Sequence, residues 1–177
     1  MQQNLINVSQ STLFPTEAHA IVEIPKDTNA KYEYDVKLNM LRLDRCLISS
    51  LQYPASYGFL PQTLSEDGDA TDILIYNTVP LIPLSLITVK IVGGLVTYDH
   101  GKKDYKILGV PTYNPNNYQD IDDLDSMFLT VCEDFFRLYK KVNKNPNPIK
   151  VKGWIHNNEA QKYIIGCHNN FKVNFNK

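Results

Sequence analysis

Asp67-Gly68-Asp69-Ala70-Thr71-Asp72 places three carboxylates within six residues, directly before the apolar run Ile73-Leu74-Ile75-Tyr76. Like charges this close repel, so a folded chain must solvate them or set a cation among them. Hard divalent cations such as Mg2+ take clustered oxygen donors of this kind. On an extended chain Asp67 and Asp69 share one side and Asp72 takes the other. Convergence of all three needs a turn, which Gly68 permits. Taken alone, the stretch is equally well read as an acidic surface turn leading into a strand.

Further acids stand where strands end. Glu23 interrupts the apolar run Ala18–Ile24, which stops at Pro25, and a carboxylate there is at an edge or aimed at a cation. Asp99 and Asp104 flank the turn His100-Gly101-Lys102-Lys103, the two shoulders of an expected hairpin. Lys31, Glu33 and Asp35 share one face of an alternating segment, a pattern that usually means a solvated face. Bases and phenols occupy neighbouring segments: Lys31, Arg45, Tyr57, Lys106, Tyr139 and Lys140. Gathered in one cavity, the acids suit several divalent cations and the bases an anion rich in oxygens. That combination serves metal-assisted phosphoryl transfer to water.

The elements that must position these groups are mostly short strands. Residues 31–36 and 40–45 alternate around Lys37-Leu38-Asn39, as in a hairpin. Tyr53-Pro54-Ala55-Ser56-Tyr57-Gly58-Phe59 is a Pro turn flanked by two Tyr and closed by Gly. Strands are expected over 72–77, over 86–99 with a bend or bulge at Gly93-Gly94, over 104–110 and over 149–154. Residues 122–141 change period: Leu124, Met127, Phe128, Val131, Phe135 and Leu138 form one predicted apolar stripe. Acids lead this helix, Arg137, Lys140 and Lys141 close it as the helix dipole favours, and residues 143–148 break it. A short helix is predicted from about Asn158, with Ala160, Tyr163, Ile164 and Cys167 inward. The chain reads as a single domain over 1–177, with a polar lead-in at 1–17 and a polar tail at 168–177. The class is mainly β, in the α+β sense: a small β-barrel with helices packed on it.

The totals exclude several functions. At 177 residues the chain has room for a real core. A net charge of −1 gives no electrostatic case for nucleic acid or an acidic membrane. Tyr, at 11 residues against 7 Phe and 1 Trp, places hydroxyls at the rim of apolar walls. Cys46, Cys132 and Cys167 are odd in number and lack a CxxC pair, which predicts reduced thiols in a cytoplasmic protein. The N-terminus lacks a signal-peptide pattern, and no apolar run is long enough to span a membrane. There is no GxGxxG and no Walker loop. An EF-hand beginning at Asp67 fails, with Asp72 in place of its Gly and Thr78 in place of its closing Glu. No GxSxG elbow is present, and His19, His100, His156 and His168 are scattered without metal-ligand spacing.

The ordered set Val22-Glu23-Ile24-Pro25, Lys31-Tyr32-Glu33, Asp44-Arg45, Tyr53-Pro54 with Tyr57-Gly58, Asp67-Gly68-Asp69 with Asp72, Asp99 with Asp104 and Lys106, Tyr139-Lys140 and Lys152-Gly153-Trp154 resembles the soluble family I inorganic pyrophosphatases. Each piece is weak and the order is specific. Two departures stand out. The family motif usually carries Pro where this chain has Ala70 and an aliphatic residue where it has Thr71; the loop from Glu23 to Lys31 is also one residue shorter than in familiar bacterial members. Ala70 frees a backbone angle that Pro would fix.

The resemblance implies a five-stranded OB-like barrel with two helices from the C-terminal half. It implies Mg2+-dependent hydrolysis of inorganic diphosphate by in-line attack of metal-bound hydroxide, with Mn2+ or Zn2+ as substitute cations. Asp67, Asp72 and Asp104 would bind the first Mg2+, with Asp72 bridging to a second. Asp99 and Asp104 would hold a cation arriving with substrate, and Glu23 a weaker one. Asp69 would accept the proton of the attacking water. Lys31, Arg45, Tyr57, Tyr139 and Lys140 would hold phosphate oxygens, with Lys106 assisting. The family also implies a homo-oligomer, a hexamer in bacterial members, with no nucleic-acid or membrane partner. Two other readings remain at this level: a Tyr-rich barrel binding single-stranded nucleic acid, and a catalytically silent metal- or phosphate-binding protein on the same scaffold.

Overall fold

The computed structural model describes residues 4–47, 50–140 and 149–175. Lys141, the expected break over 143–148, and the chain ends at 1–3 and 176–177 lie outside the described residues. In chain order the elements are β1 (Glu17–Ile24), β2 (Ala30–Asp35), β3 (Met40–Cys46), β4 (Ser56–Leu60), β5 (Thr71–Ile75), β6 (Leu86–Asp99), β7 (Lys102–Lys103), β8 (Lys106–Pro111), α1 (Ser126–Leu138), β9 (Lys150–His156) and α2 (Asn157–Phe175).

Strands β1, β4, β5, β8 and β6 are neighbours in that order, and β6 pairs back to β1. The result is the expected five-stranded barrel. Its one parallel pair joins β5 to β8, in register Ile73↔Ile107, while the other pairs are antiparallel. Closure leaves no open edge in the ring. The long β6 serves two neighbours on one side: its first half pairs β1, and its second half pairs β9 from Gly93↔His156 to Tyr98↔Lys150. The predicted irregularity falls between Ile91 and Gly93, in the register with β8. Gly93 is required there, since a Cβ would lie 2.1 Å from the Ile121 side chain and 2.6 Å from Ile155 O.

The β2–β3 hairpin stands off the barrel as a separate two-stranded sheet. It is fastened where Tyr34 stacks on Phe59, ring centroids 5.6 Å apart, and where the Tyr34 N–H donates to Glu23 Oε1 at 2.7 Å. The lead-in is built into the fold as well. Leu5 and Ile6 pack beside Tyr34 and Phe59, and Gln10 Nε2 donates to Pro61 O at 2.7 Å.

Both helices depart from their sequence reading. On α1 the buried side chains are Cys132, Phe135 and Phe136, followed by Tyr139 at the C-cap. Of the predicted stripe, Met127 is 66%, Val131 46% and Leu138 44% exposed. The helix is rotated by about one residue because the aromatic side chains at 135, 136 and 139 lock against Tyr53 and Tyr57: Phe135 lies 4.7 Å from Tyr53, and Phe136 6.2 Å from Tyr57. Two overlapping helical periods exist in this segment, and burial of the larger rings decides between them. Helix α2 runs through the predicted polar tail. Phe171 is buried, and His168 Nδ1 contacts Gln62 O at 2.6 Å. The tail's polar residues anchor a loop rather than dissolving in water.

Gly58 marks the tightest approach in the barrel, since a Cβ there would lie 1.8 Å from Ile21 O on β1. Backbone cannot yield as a flexible side chain can. Gly58→Ala is expected to lower stability by about 3 kcal/mol, the upper part of the usual overpacking range, measured as a shift in urea midpoint. A midpoint within error of wild type would show that β1 and β4 can separate at that point.

Candidate active site

One end of the barrel, the β2–β3 hairpin and the C-terminus of α1 enclose a cavity of about 410 Å3. Glu23 from β1, Tyr57 from β4, Asp72 from β5, Asp99 from β6, Asp104 and Lys106 around β8, and Asp67 and Asp69 from the loop before β5 all line it. Lys31 from β2 and Tyr139-Lys140 after α1 complete the lining. Eleven of the twelve residues expected at the site therefore share one wall. Arg45 is the exception. It lies opposite Lys31 in the hairpin register and pairs with Asp44 at 3.0 Å, outside the lining. Its Nε is buried without a hydrogen-bond partner among the described residues.

Lysine ammonium groups divide the acids. Lys106, only 3% exposed, bonds Asp104 at 2.5 Å and also Asp72. Lys140 bonds Asp99 at 2.5 Å. Lys31 pairs with Glu33 and lies 3.0 Å from Asp44. Burial alone would lower the Lys106 pKa, but Asp72 and Asp104 together push it well above the ordinary lysine value. For Asp104 burial acts upward, and the Lys106 charge overrides it and holds the carboxyl low. Asp72 goes the other way: desolvation outweighs Lys106 and lifts it to about 6. Burial lifts Glu23 furthest, to about 8, against the lowering effect of the Tyr34 N–H. Asp67 is also raised by desolvation. Burial raises Tyr57 and Tyr139 as well, so both remain phenols and act as hydrogen-bond donors.

The donor set fits Mg2+. Every side-chain acid on the wall offers carboxylate oxygen, the hard donor that this cation prefers. Asp99 Oδ1 is buried with no hydrogen-bond partner among the described residues, His100 Nε2 lying 3.8 Å away, and retains acceptor capacity for a cation. Desolvation is the main cause of the upward displacement of Glu23, Asp72 and Asp67, and neighbouring carboxylates add to it, so a cation bound among them would favour their ionised forms. As they stand, no three acids among the described residues converge to coordinate a metal; the ammonium groups lie between them.

The wall contains groups that sequence reasoning passed over. Glu33, read as part of a solvated face with Lys31 and Asp35, lines the cavity together with Tyr32 and Thr63. Asp35 alone of that face turns away, to Arg42 at 3.1 Å. The shared periodicity of Lys31 and Glu33 was the available signal, and it lacked any indication of what faced it.

A family model described as inorganic pyrophosphatase matches residues 20–172. The chain belongs to the inorganic pyrophosphatase family. Membership brings the activity class with it, that of an inorganic diphosphatase. The chain is 38% identical over 160 residues to the inorganic pyrophosphatase of Nanoarchaeum equitans, covering 88% of this chain and 98% of that one. It is 34% identical over 172 residues to that of Thermus thermophilus, covering 96% and 98%. The crystal structure of the Thermus thermophilus pyrophosphatase superposes with a TM-score of 0.92 over 96% of this chain and 99% of that chain. The barrel with two helices is thus the pyrophosphatase fold.

The raised Glu23 carboxyl has a measurable consequence. Between its ordinary value of 4.5 and about 8, the folded chain holds a proton that the unfolded chain releases. Stability conferred this way is full below 4.5 and is lost as pH rises through 8, with a slope of at most about 1.4 kcal/mol per pH unit. In chelator-treated protein the melting temperature should therefore fall from pH 6 to 8, and Glu23→Gln, which keeps the acceptor for the Tyr34 N–H, should flatten that fall. An unchanged slope in the variant would assign the effect to other groups.

Proposed function

We propose that this cavity hydrolyses inorganic diphosphate to two phosphates by in-line attack of water, with Asp67, Asp72, Asp99, Asp104 and Glu23 holding Mg2+. The observation that carries the reading is the convergence of these five acids with Lys31, Lys106, Lys140, Tyr57 and Tyr139 on one cavity wall. Mg2+ bound there supplies Lewis-acid charge and acidifies the water that attacks. Mn2+ and Zn2+ are the expected substitute cations.

Asp69 lies between Asp67 and Asp72 in sequence, is solvent-exposed at the mouth and is the proposed proton acceptor from that water. Its backbone N–H donates to Asp67 Oδ1 at 3.1 Å, which ties the Asp67 carboxylate to the main chain at Asp69. Lys31 and Lys140 supply point charges for phosphate oxygens, and the phenols of Tyr57 and Tyr139 supply neutral donors that need no counter-charge. Lys106, buried between Asp72 and Asp104, holds those two acids in position and assists the other bases in offsetting phosphate charge. Arg45 joins the substrate set from beside Lys31, where a planar fork of donors can pair with two oxygens at once.

The same reading covers the assembly and setting. A homo-oligomer, with the bacterial hexamer as its form, is supported by the outward stripe Met127, Val131 and Leu138 on α1, which within one chain has no cover. A cytoplasmic setting is supported by three free thiols. No helix among the described residues is long and apolar enough to cross a membrane. Sedimentation of the purified chain should give a mass several times the 20.3 kDa of one copy; a monomer at micromolar concentration would reject the assembly while leaving the chemistry standing.

Phosphate release from diphosphate, with and without Mg2+, tests the function. Release is expected only with the cation. Asp69→Asn should lower turnover by at least about a hundredfold, the scale of a lost general base, with Mg2+ affinity retained. Near-normal turnover in that variant would remove Asp69 from the role.

A further inference from the structure

The loop that carries Asp67, Asp69 and Asp72 departs from the motif it resembles at two adjacent places, Ala70 for Pro and Thr71 for an aliphatic residue. The structure joins the two departures. Thr71 is wholly buried, and its Oγ1 shares a hydrogen bond of 3.0 Å with Ser65 Oγ. Ser65 is the residue that closes the loop: its N–H donates to Asp69 O at 2.8 Å, and its carbonyl accepts from Gly68 N–H at 3.2 Å. The hydroxyl pair thus staples the start of β5 to the residue that folds the acidic turn back on itself. Neither Ser65 nor Thr71 lines the cavity.

The staple is braced from behind. Tyr163 on α2 donates to Ser65 Oγ at 3.4 Å and stacks on Tyr105, 4.5 Å between centroids. Tyr105 is the outward residue between Asp104 and Lys106. Leu64 N–H donates to Cys167 O at 2.9 Å, and Thr71 N–H donates to Thr63 Oγ1 at 2.9 Å. An aliphatic residue at 71 would remove the Thr71 partner of the Ser65 hydroxyl, leaving that hydroxyl only Tyr163 and the Cys167 thiol at 3.8 Å, neither of which belongs to the acidic loop. A proline at 70 would restrict the same backbone by its ring. Ala70 lies in a non-helical link before β5, and its N–H donates no hydrogen bond among the described residues, so proline there would remove no donor in use.

We propose that the buried Ser65–Thr71 hydroxyl pair, braced by Tyr163, is a positioning device. It holds the acidic loop in its cation-binding shape, doing the work that proline at position 70 does in the resembled motif. The inference rests on the reading of Asp67 and Asp72 as Mg2+ ligands. Ser65 and Thr71 touch neither cation nor substrate and act through the carboxylates. Because the hydroxyl pair and the proline are alternative restraints on one segment, their effects must be non-additive.

The test is Mg2+ titration by calorimetry on substrate-free protein, beside turnover at saturating Mg2+ and amide hydrogen exchange over residues 65–71. Thr71→Val should weaken Mg2+ binding by about three- to tenfold, the range of one lost hydrogen bond, with turnover at saturating Mg2+ within about twofold of wild type. Exchange in the loop should quicken in the metal-free protein. Thr71→Ser, which keeps the hydroxyl, should retain wild-type affinity. Adding Ala70→Pro to Thr71→Val should recover the affinity, whereas Ala70→Pro in the wild-type chain should change it little. Wild-type affinity in Thr71→Val would overturn the proposal, as would failure of proline to recover it or equal losses in Thr71→Ser and Thr71→Val. A wild-type chain that binds Mg2+ but releases no phosphate from diphosphate would reject the functional reading instead, so the two failures are distinguishable.

Discussion

The ammonium of Lys106, buried between Asp72 and Asp104, is the constraint on which the rest of the site depends. Carboxylates brought together at a barrel mouth repel and lose hydration, and a structure that leaves them uncompensated protonates or opens. The fold meets this requirement through topology. The parallel pair β5–β8 is in register at Ile73↔Ile107, so Asp72 and Lys106 are neighbours on adjacent strands. Lys106 and Asp104, two apart along the chain, then fall on the same side. A salt bridge buried in this way contributes little net stability by itself. Its effect is to make an acid-lined cavity compatible with a folded barrel.

The cavity exists because two units of different character meet. The barrel contributes acids from strand ends and from the loop before β5. The hairpin and the end of α1 contribute Lys31, Tyr139 and Lys140. Glu23 spans the junction, since its carboxylate takes the N–H of Tyr34 on the hairpin while its own strand closes the barrel. That bond explains how a glutamate can be tolerated inside an apolar strand. It also explains why the hairpin, tied elsewhere mainly by the Tyr34–Phe59 stack, keeps Lys31 over the acids. On the opposite flank, rotation of α1 toward Tyr53 and Tyr57 carries Tyr139 and Lys140 to the mouth and leaves Met127, Val131 and Leu138 outside. The same packing choice brings Tyr139 and Lys140 to the cavity and exposes an apolar stripe.

Much of this was legible in residue order. Alternation over 31–36 and 40–45 appears where periodicity places it and the β6 irregularity falls just before Gly93, whereas the expected turn at 100–103 narrows to His100-Gly101, with Lys102–Lys103 pairing back on β6 as β7. The ordered acids and bases pointed to a shared cavity, and eleven of the twelve expected residues line it. What periodicity alone left open was phase and reach. On α1 two helical stripes compete, and the winner depends on rings contributed by β4 and the turn before it. On α2 the residues after Cys167 lack an apolar pattern, and their helix is held by Phe171 and by side chains such as His168 reaching the 62–64 loop. Arg45 stands opposite Lys31 in the hairpin register yet falls outside the lining, its guanidinium turned to Asp44 at 3.0 Å, a side-chain choice that residue order does not encode.

The acidic loop shows how the same geometry can be held by two kinds of force. Proline stabilises a turn largely by narrowing the unfolded ensemble, and its ring keeps acting when the folded state breathes. A hydroxyl pair such as Ser65–Thr71 acts only while both groups are buried and aligned, so it is lost as a unit when α2 moves from behind the loop. A loop fastened by hydroxyls is thereby tied to the packing of Tyr163 against Tyr105, and through Tyr105 to the strand that carries Asp104 and Lys106. Proline would make the turn autonomous. The hydroxyl pair makes its order conditional on the barrel and α2 being in place, and with it the spacing of Asp67 and Asp72.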